Sequence, residues 1–159
     1  MYLTDMSVPP ILLLLGVLVG PSFQGMPMYW VSNVFPRSKS IYFLSKRITS
    51  ISINRRNELC KSIGGYLVEL DSREEQDFVN EFARAHSSSH AFTGANDIML
   101  ESTFVYYNSK KPMPALKWVF DNPNNWLGDE DCVLTMWFGL NDIDCLFGGQ
   151  HICEVKLKG

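Results

Sequence analysis

The chain has no basic excess. Its 14 Lys and Arg are outnumbered by 17 Asp and Glu, for a formal net charge of -3. Without a positive stripe there is no electrostatic footprint for a phosphate backbone, and surface aromatics alone make no platform for a single strand, so nucleic acid is excluded as a partner. Histidine is scarce. His86, His90 and His151 have no evident Ser or Cys partner. That removes the usual general base and nucleophile, and the chain is not expected to be an enzyme. CxxC pairs are absent, which argues against zinc. There is no Asn-x-Ser/Thr acceptor, so N-glycosylation is not expected. There is also no repeat, collagen-like segment or heptad run. An oligomer, which would add avidity, has to be built without them.

Long apolar runs are missing as well. ILLLLGVLV at residues 11–19 has nine residues, against roughly 20 needed to cross a bilayer. The run fits the core of a secretory signal peptide, with Gly20, Ser22 and Gly25 as small residues near a cleavage point. It departs from the pattern in carrying Asp5 and no Lys or Arg ahead of it. The reading is a signal peptide over residues 1–25, a domain over 26–159, a secreted, extracellular product, and no membrane span in the mature chain.

What is present is core material and cysteine. Hydrophobic residues make up 46% and aromatics 13% of the chain, enough for one real core. Cys60, Cys132, Cys145 and Cys153 are an even set in a chain read as secreted. They imply two disulfides, with three connectivities open.

Residues 52–63 have helical spacing, with Ile53, Leu59, Cys60 and Ile63 near one face and Gly64-Gly65 as a left-handed stop. Residues 66–70 read as a strand. Ser72 and Glu75 have capping-box spacing, and Phe78, Val79, Phe82 and Ala85 carry a second helix to about His86. Glu74 and Glu75 lie in its first turn, where carboxylates favour the helix dipole, so they are not read as catalytic. Further strands are expected at 41–44, 91–95, 104–107, 118–120, 133–138 and 151–157, with Trp118 and Trp137 in the core. Two early helices followed by many short strands give an α+β domain. Residues 108–132 carry little regular pattern, and a long irregular loop in a compact domain is usually functional.

That loop runs into the richest stretch of the chain, residues 121–145, crowded with Asn, Asp and Glu. Their oxygens suit a hard cation such as calcium. A Cys132–Cys145 bond, if formed, would hold the two halves of the stretch together.

In order and spacing these motifs resemble the C-type lectin domain family, from about residue 41 to 154. The resemblance is carried by Cys60, the Gly-Gly-x-Leu-Val run at 64–68, the helix through Phe78-Val79 and Phe92-Thr93-Gly94-Ala95. It continues through Asn122-Pro123-Asn124, Glu130-Asp131-Cys132, Asn141-Asp142 and Ile152-Cys153-Glu154. It implies disulfides Cys60–Cys153 and Cys132–Cys145, and a looped fold of two helices and two small antiparallel sheets. It further implies calcium-dependent sugar binding, with a primary calcium held by Asn122, Asn124, Glu130, Asn141 and Asp142 around a cis Pro123. Partial matches place a second calcium at Asp97, Glu101, Asn125 and Asp131. The chain departs from the family pattern at Asn122, usually Glu or Gln, which leaves Glu130 and Asp142 as the only charged primary ligands. A second departure is Leu140, where Trp is common. The alternative implied by these departures is a calcium-independent module that binds protein or matrix.

The glycan class follows from the same positions. The family's mannose-type and galactose-type signatures are Glu-Pro-Asn and Gln-Pro-Asp, and Asn122-Pro123-Asn124 is neither. Trp126, two residues on, offers a ring on which the apolar face of galactose can stack, and tilts the expectation toward galactose-type sugars.

Overall fold

The computed structural model describes residues 29–158. The expected signal peptide lies outside them. Within them the order is β1 (Tyr29–Val31), β2 (Ser40–Ser45), α1 (Ile53–Ser62), β3 (Tyr66–Leu67), α2 (Arg73–Ala85), β4 (His90–Asn96), β5 (Val105–Tyr106), β6 (Cys132–Met136), β7 (Gly139–Ile143) and β8 (Gln150–Lys156). No helix among them is long and apolar enough to cross a membrane.

Each helix begins on the residue the pattern indicates. The Ser52 hydroxyl accepts from Arg55 N–H at 3.2 Å, and the Ser72 hydroxyl accepts from Glu75 N–H at 3.1 Å. The Glu75 carboxylate reaches back one residue further than a capping box requires. It accepts from Asp71 N–H at 2.7 Å and from the Tyr42 hydroxyl, so it is a buried structural acceptor. α1 buries Ile53, Arg56, Asn57 and Cys60, the i, i+3, i+4, i+7 stripe of a helix packed on a core. Arg56 is wholly buried, and its charge is met by carbonyls and a ring face rather than by a carboxylate. It donates to the carbonyls of Phe147 and Gly149 at 2.7 and 3.1 Å, and its guanidinium lies 3.8 Å over the Phe92 ring. α1 ends at Gly64, whose φ of 84° suits the left-handed stop. At Gly65 a side chain is sterically excluded, because a Cβ would sit 2.2 Å from the Glu154 carbonyl.

The expected antiparallel sheets are both present. One is β1-β2-β8-β3, the other β5-β4-β6-β7. They are joined by a short parallel seam between β4 and β8, with Ala91 opposite Gln150 and Phe92 opposite His151, so the strands form one mixed path in the order β1-β2-β8-β4-β6-β7. The strand expected at 66–70 pairs only at Tyr66 and Leu67. The strand expected at 118–120 reduces to a single parallel bridge from Trp118 to Leu140. The strand expected at 133–138 ends at Met136, because Trp137 and Phe138 form the turn into β7. Trp137 is therefore not a core residue, being 52% exposed, whereas Trp118 packs half-buried against the core and lies 5.0 Å from the Phe104 ring. Cys60–Cys153 and Cys132–Cys145 are the two disulfides.

Glu154 sits buried on β8, where its carboxylate accepts from the Ser40 hydroxyl at 2.7 Å and Glu69 N–H at 3.3 Å. Burial pushes its pKa from the ordinary 4.5 to about 7, against the opposing pull of these donors and of Lys156. A carboxyl that is harder to ionise in the folded than in the unfolded state favours the native state while protonated. Its contribution is complete below about pH 4.5 and is lost as pH rises through about 7. Glu154→Gln, which stays neutral and can still serve both neighbours, should remove a decline of up to about 3 kcal/mol between those limits. Urea unfolding of both proteins at the two pH values checks this, and an unchanged slope in the variant would contradict it.

Candidate functional site

The oxygen-rich residues converge where the irregular loop meets β6 and β7. The loop takes its shape from left-handed backbone at Asp121 (φ 62°), Asn125 (φ 43°), Leu127 (φ 63°) and Gly128 (φ 81°), and from a cis Asn122-Pro123 bond. It is tied to the fold upstream by Gln76, whose amide donates to Lys117 O at 2.7 Å and accepts from Lys117 N–H at 2.9 Å.

Asp142 is the anchor of the primary set. It is 1% exposed, and its Oδ2 accepts from the backbone N–H of Asn124 at 2.8 Å and of Asn125 at 2.6 Å. The loop is thereby pinned to β7. Asn122 and Asn124 face one another, with Asn124 Nδ2 donating to Asn122 Oδ1 at 3.4 Å, while Asn122 Nδ2 donates to Phe120 O at 3.1 Å. Glu130 curls back over the turn at Trp126–Gly128 and accepts from Trp126 N–H at 2.7 Å. Partial burial and the nearby Asp142 charge hold its pKa above the ordinary carboxylate value, despite that hydrogen bond. Asn141 Nδ2 donates to the Asp142 carbonyl, which leaves Oδ1 as its ligand atom.

The second set gathers around Asp97, which is buried. Its Oδ2 accepts from Ser102 N–H at 2.8 Å, and its own N–H donates to Asp131 O at 3.1 Å. Burial raises its pKa, and the charges of Glu101 and Asp131 raise it further. Asn125 joins the two sets, a role its residue type alone did not indicate. Its N–H serves Asp142, its Oδ1 accepts from Glu130 N–H at 3.1 Å, and its Nδ2 donates to Glu101 Oε2 at 2.7 Å.

Two atoms test whether a hard cation fits. Asp142 Oδ1 and Asp97 Oδ1 are buried carboxylate oxygens without a hydrogen-bond partner, one in each set. An unpartnered buried acceptor costs about 1–3 kcal/mol, more when charged. Such a cost is recovered if the oxygen meets a positive charge. The donor sets are all oxygen, which suits calcium. By donor type the residues present suit the ion in both places, although the carboxyl groups of Asp97, Glu101 and Asp131 do not lie within 4.8 Å of one another. The primary set brings two carboxylates and three amides, and the second brings three carboxylates and one amide.

Among the described residues, such a gathering of ligand atoms within 4.8 Å of one another occurs instead at buried Cys60, Cys153 and His151. Its sulfurs are committed to the disulfide, and burial holds the His151 pKa at about 3. Apolar side chains crowd the exposed rim of the oxygen-rich region. Trp126 is 70% exposed and Phe120 87%. Phe120, Trp137 and Phe138 were not singled out from sequence as surface residues, because apolar type by itself reads as core.

Comparison with known proteins bears on the fold and the family. A sequence model of the family described as "Lectin C-type domain" matches residues 49–155. The human CD209 antigen is 32% identical over 97 residues, which are 60% of this chain and 24% of that protein. The CD209 antigen of Symphalangus syndactylus is 32% identical over 99 residues, 61% of this chain and 26% of that protein. The matched part is thus about a quarter of the length of these relatives. Among solved structures, the mouse scavenger receptor C-type lectin carbohydrate-recognition domain superposes with a TM-score of 0.65 at 23% identity, covering 84% of this chain and 97% of that one. The cow carbohydrate-recognition domain of CD23 gives 0.66 at 21% identity, with 83% and 95% covered. At these identities the structural likeness speaks for the fold, and the family match speaks for descent: the chain belongs to the C-type lectin domain family.

Proposed function

We propose that this protein binds carbohydrate through calcium held by Asn122, Asn124, Glu130, Asn141 and Asp142, and that it works outside the cell. The observation that carries this reading is Asp142, a buried carboxylate with one oxygen spent on pinning the loop and the other without a partner. The matched CD23 domain was solved in the presence of a GlcNAc2Man3 oligosaccharide, and the scavenger-receptor neighbour is a carbohydrate-recognition domain. Both likenesses support carrying glycan binding over to this chain. Calcium, when bound, supplies open coordination positions that vicinal hydroxyls of a sugar can fill. The chain's own part is to hold the loop against β7, present the Asn122 and Asn124 amides to the same hydroxyls, and offer the exposed Trp126 ring to the sugar's apolar face. A stacking Trp favours galactose-type over mannose-type sugars.

The second set, Asp97, Glu101, Asn125 and Asp131, carries more charge and is proposed to bind calcium more tightly, because affinity grows with the ligands' charge count. Asn125 couples the sets, so filling the second should steady the loop that presents the first. The shorter arm of Asn122, already hydrogen-bonded at both ends of its amide, favours the competing reading of a calcium-independent protein- or matrix-binding module.

Thermal unfolding of the chain in calcium and in EDTA separates the two. A ligand that binds only the native state adds about 2.7 kcal/mol at a hundredfold excess over its Kd, so calcium should raise the midpoint clearly. No rise up to millimolar calcium would sink the calcium reading and leave the protein-binding module.

A further inference from the structure

We propose that Gln76 is a positioning residue for the primary site: its buried amide on α2 fixes the root of the loop that presents Asn122 and Asn124, and so sets the calcium affinity of that set. The inference rests on the calcium reading above. The stretch that supplies the loop ligands is not held by packing. Leu116 and Cys132 are buried, and none of residues 117–131 between them is. Hydrogen bonds must therefore place it, and two side chains from elsewhere in the fold grip its backbone. At one end Asp142 Oδ2 takes the N–H groups of Asn124 and Asn125. At the other, Gln76 takes both backbone polar groups of Lys117, donating to its carbonyl at 2.7 Å and accepting from its N–H at 2.9 Å. Asn122 and Pro123 lie between the two grips.

The grip of Gln76 reaches the ligands by two short routes. Lys117 O also accepts from Leu140 N–H at 2.9 Å, so one carbonyl joins α2 to β7 just ahead of Asn141 and Asp142. Along the loop, Val119 N–H donates to Leu140 O at 2.8 Å and Asn122 N–H donates to Val119 O at 3.0 Å. A shift at Lys117 is thereby passed to Asn122 and to the strand that carries Asp142. Gln76 itself has little room to shift. It is 1% exposed and shares the buried face of α2 with Val79 and Ala83.

The chemistry of the grip calls for an amide. A peptide residue offers one donor and one acceptor, and a Gln side chain answers both at once. A carboxylate would set its charge against the Lys117 carbonyl, and an apolar chain would leave both backbone groups unanswered. With its root released, the loop presents the ligand geometry for only part of the time. The apparent affinity for the ion then falls by that fraction.

The test is calcium titration of the full chain carrying Gln76→Met, which keeps the length of the side chain, or Gln76→Glu. Each is combined with Asp97→Asn, which leaves the primary set, and with Asp142→Asn, which leaves the second. The titrations are run at a temperature where circular dichroism shows every variant folded, so that lost global stability does not enter the Kd. Both changes should raise the primary Kd about tenfold, equivalent to about 1.4 kcal/mol, and leave the second Kd unmoved. Val79→Ala, a core change on the same helix face, should lower the unfolding temperature and move neither Kd. An unchanged primary Kd in a folded Gln76→Met or Gln76→Glu chain would overturn the inference and leave the primary site standing. An equal rise at both sets, or the same rise in Val79→Ala, would overturn it too, since Gln76 would then serve the fold alone. If the Asp97→Asn chain binds no calcium, the primary-site reading itself has failed, and this inference falls with it.

Discussion

Asp142→Asn is expected to unfold in EDTA at nearly the same temperature as the natural chain and to show a smaller rise when calcium is added, the part that remains coming from the Asp97 set. The substitution is nearly isosteric. An amide oxygen in place of Oδ2 can still accept from the N–H groups of Asn124 and Asn125, so the loop stays pinned to β7. What disappears is one of the primary set's two negative charges, and the unpartnered Oδ1 is replaced by an NH2 group that repels a cation. With calcium at a hundredfold excess over Kd, the stabilisation forgone is about 2.7 kcal/mol per site lost. Asp142→Ala should differ in an instructive way. It removes the acceptor as well and strands two backbone donors, so it should lose about 1–3 kcal/mol even in EDTA. Sugar-column retention should vanish in both variants. A full calcium shift in Asp142→Asn would show that the primary ion is held elsewhere, or that the shift comes from the Asp97 set alone. Asp97→Asn separates those two outcomes.

Removing Cys60–Cys153 by a double Cys→Ala change is expected to be the most destabilising simple alteration of the chain. The bond joins residues 93 apart, and the chain-entropy account values a loop of that order at about 4.7 kcal/mol. Both sulfurs are fully buried in a cluster with Ile53, Leu67, Phe92 and Leu134, so the change also loses core volume. Cys132–Cys145 spans only 13 residues, which the same account places near 3 kcal/mol. Its loss should weigh less on stability and more on the site. That bond braces the open end of the β6–β7 hairpin, with Glu130 and Asp131 just before Cys132, and Asn141 and Asp142 on the strand that leads to Cys145. Urea unfolding and calcium titration of both double variants give the comparison. A Cys60/Cys153 variant as stable as the Cys132/Cys145 variant would contradict the entropy argument.

The parts of the fold legible in sequence were those with a local signature. Ser52 and Ser72 announce helix starts, Gly64-Gly65 a stop, and the cysteine and Asn-Pro-Asn order points to the family. What escaped was set by partners distant in sequence. Gly139–Ile143 contains an Asn-Asp pair of poor strand propensity, and becomes a strand because β6 offers it five paired positions. The β4–β8 seam joins strands about sixty residues apart and leaves no local trace. Trp137 was expected inside because it is large and apolar. A two-residue hairpin turn puts it outside, and apolar type carries no information about turn position. At the candidate site, residue types fixed the oxygen chemistry, but only the structure places Asn125 between the two sets. Its left-handed backbone turns three of its polar groups in three directions.

The place of β8 in the sheet bears on how the protein is made. It is the last of the described strands, yet it lies between β2 and β4, near the middle of the strand order. Ser40 pairs with Lys156, and Cys60 waits for Cys153. Until the ribosome has released everything through Lys156, β2 and β4 have no common neighbour and Cys60 has no native partner. The domain must therefore wait out most of its own synthesis with its core strands uncovered and one thiol unpaired. Pairings so distant in sequence also close slowly once they can form. A nascent chain of this kind needs its apolar strands shielded, and Cys60 kept from bonding early to Cys132 or Cys145, until β8 arrives.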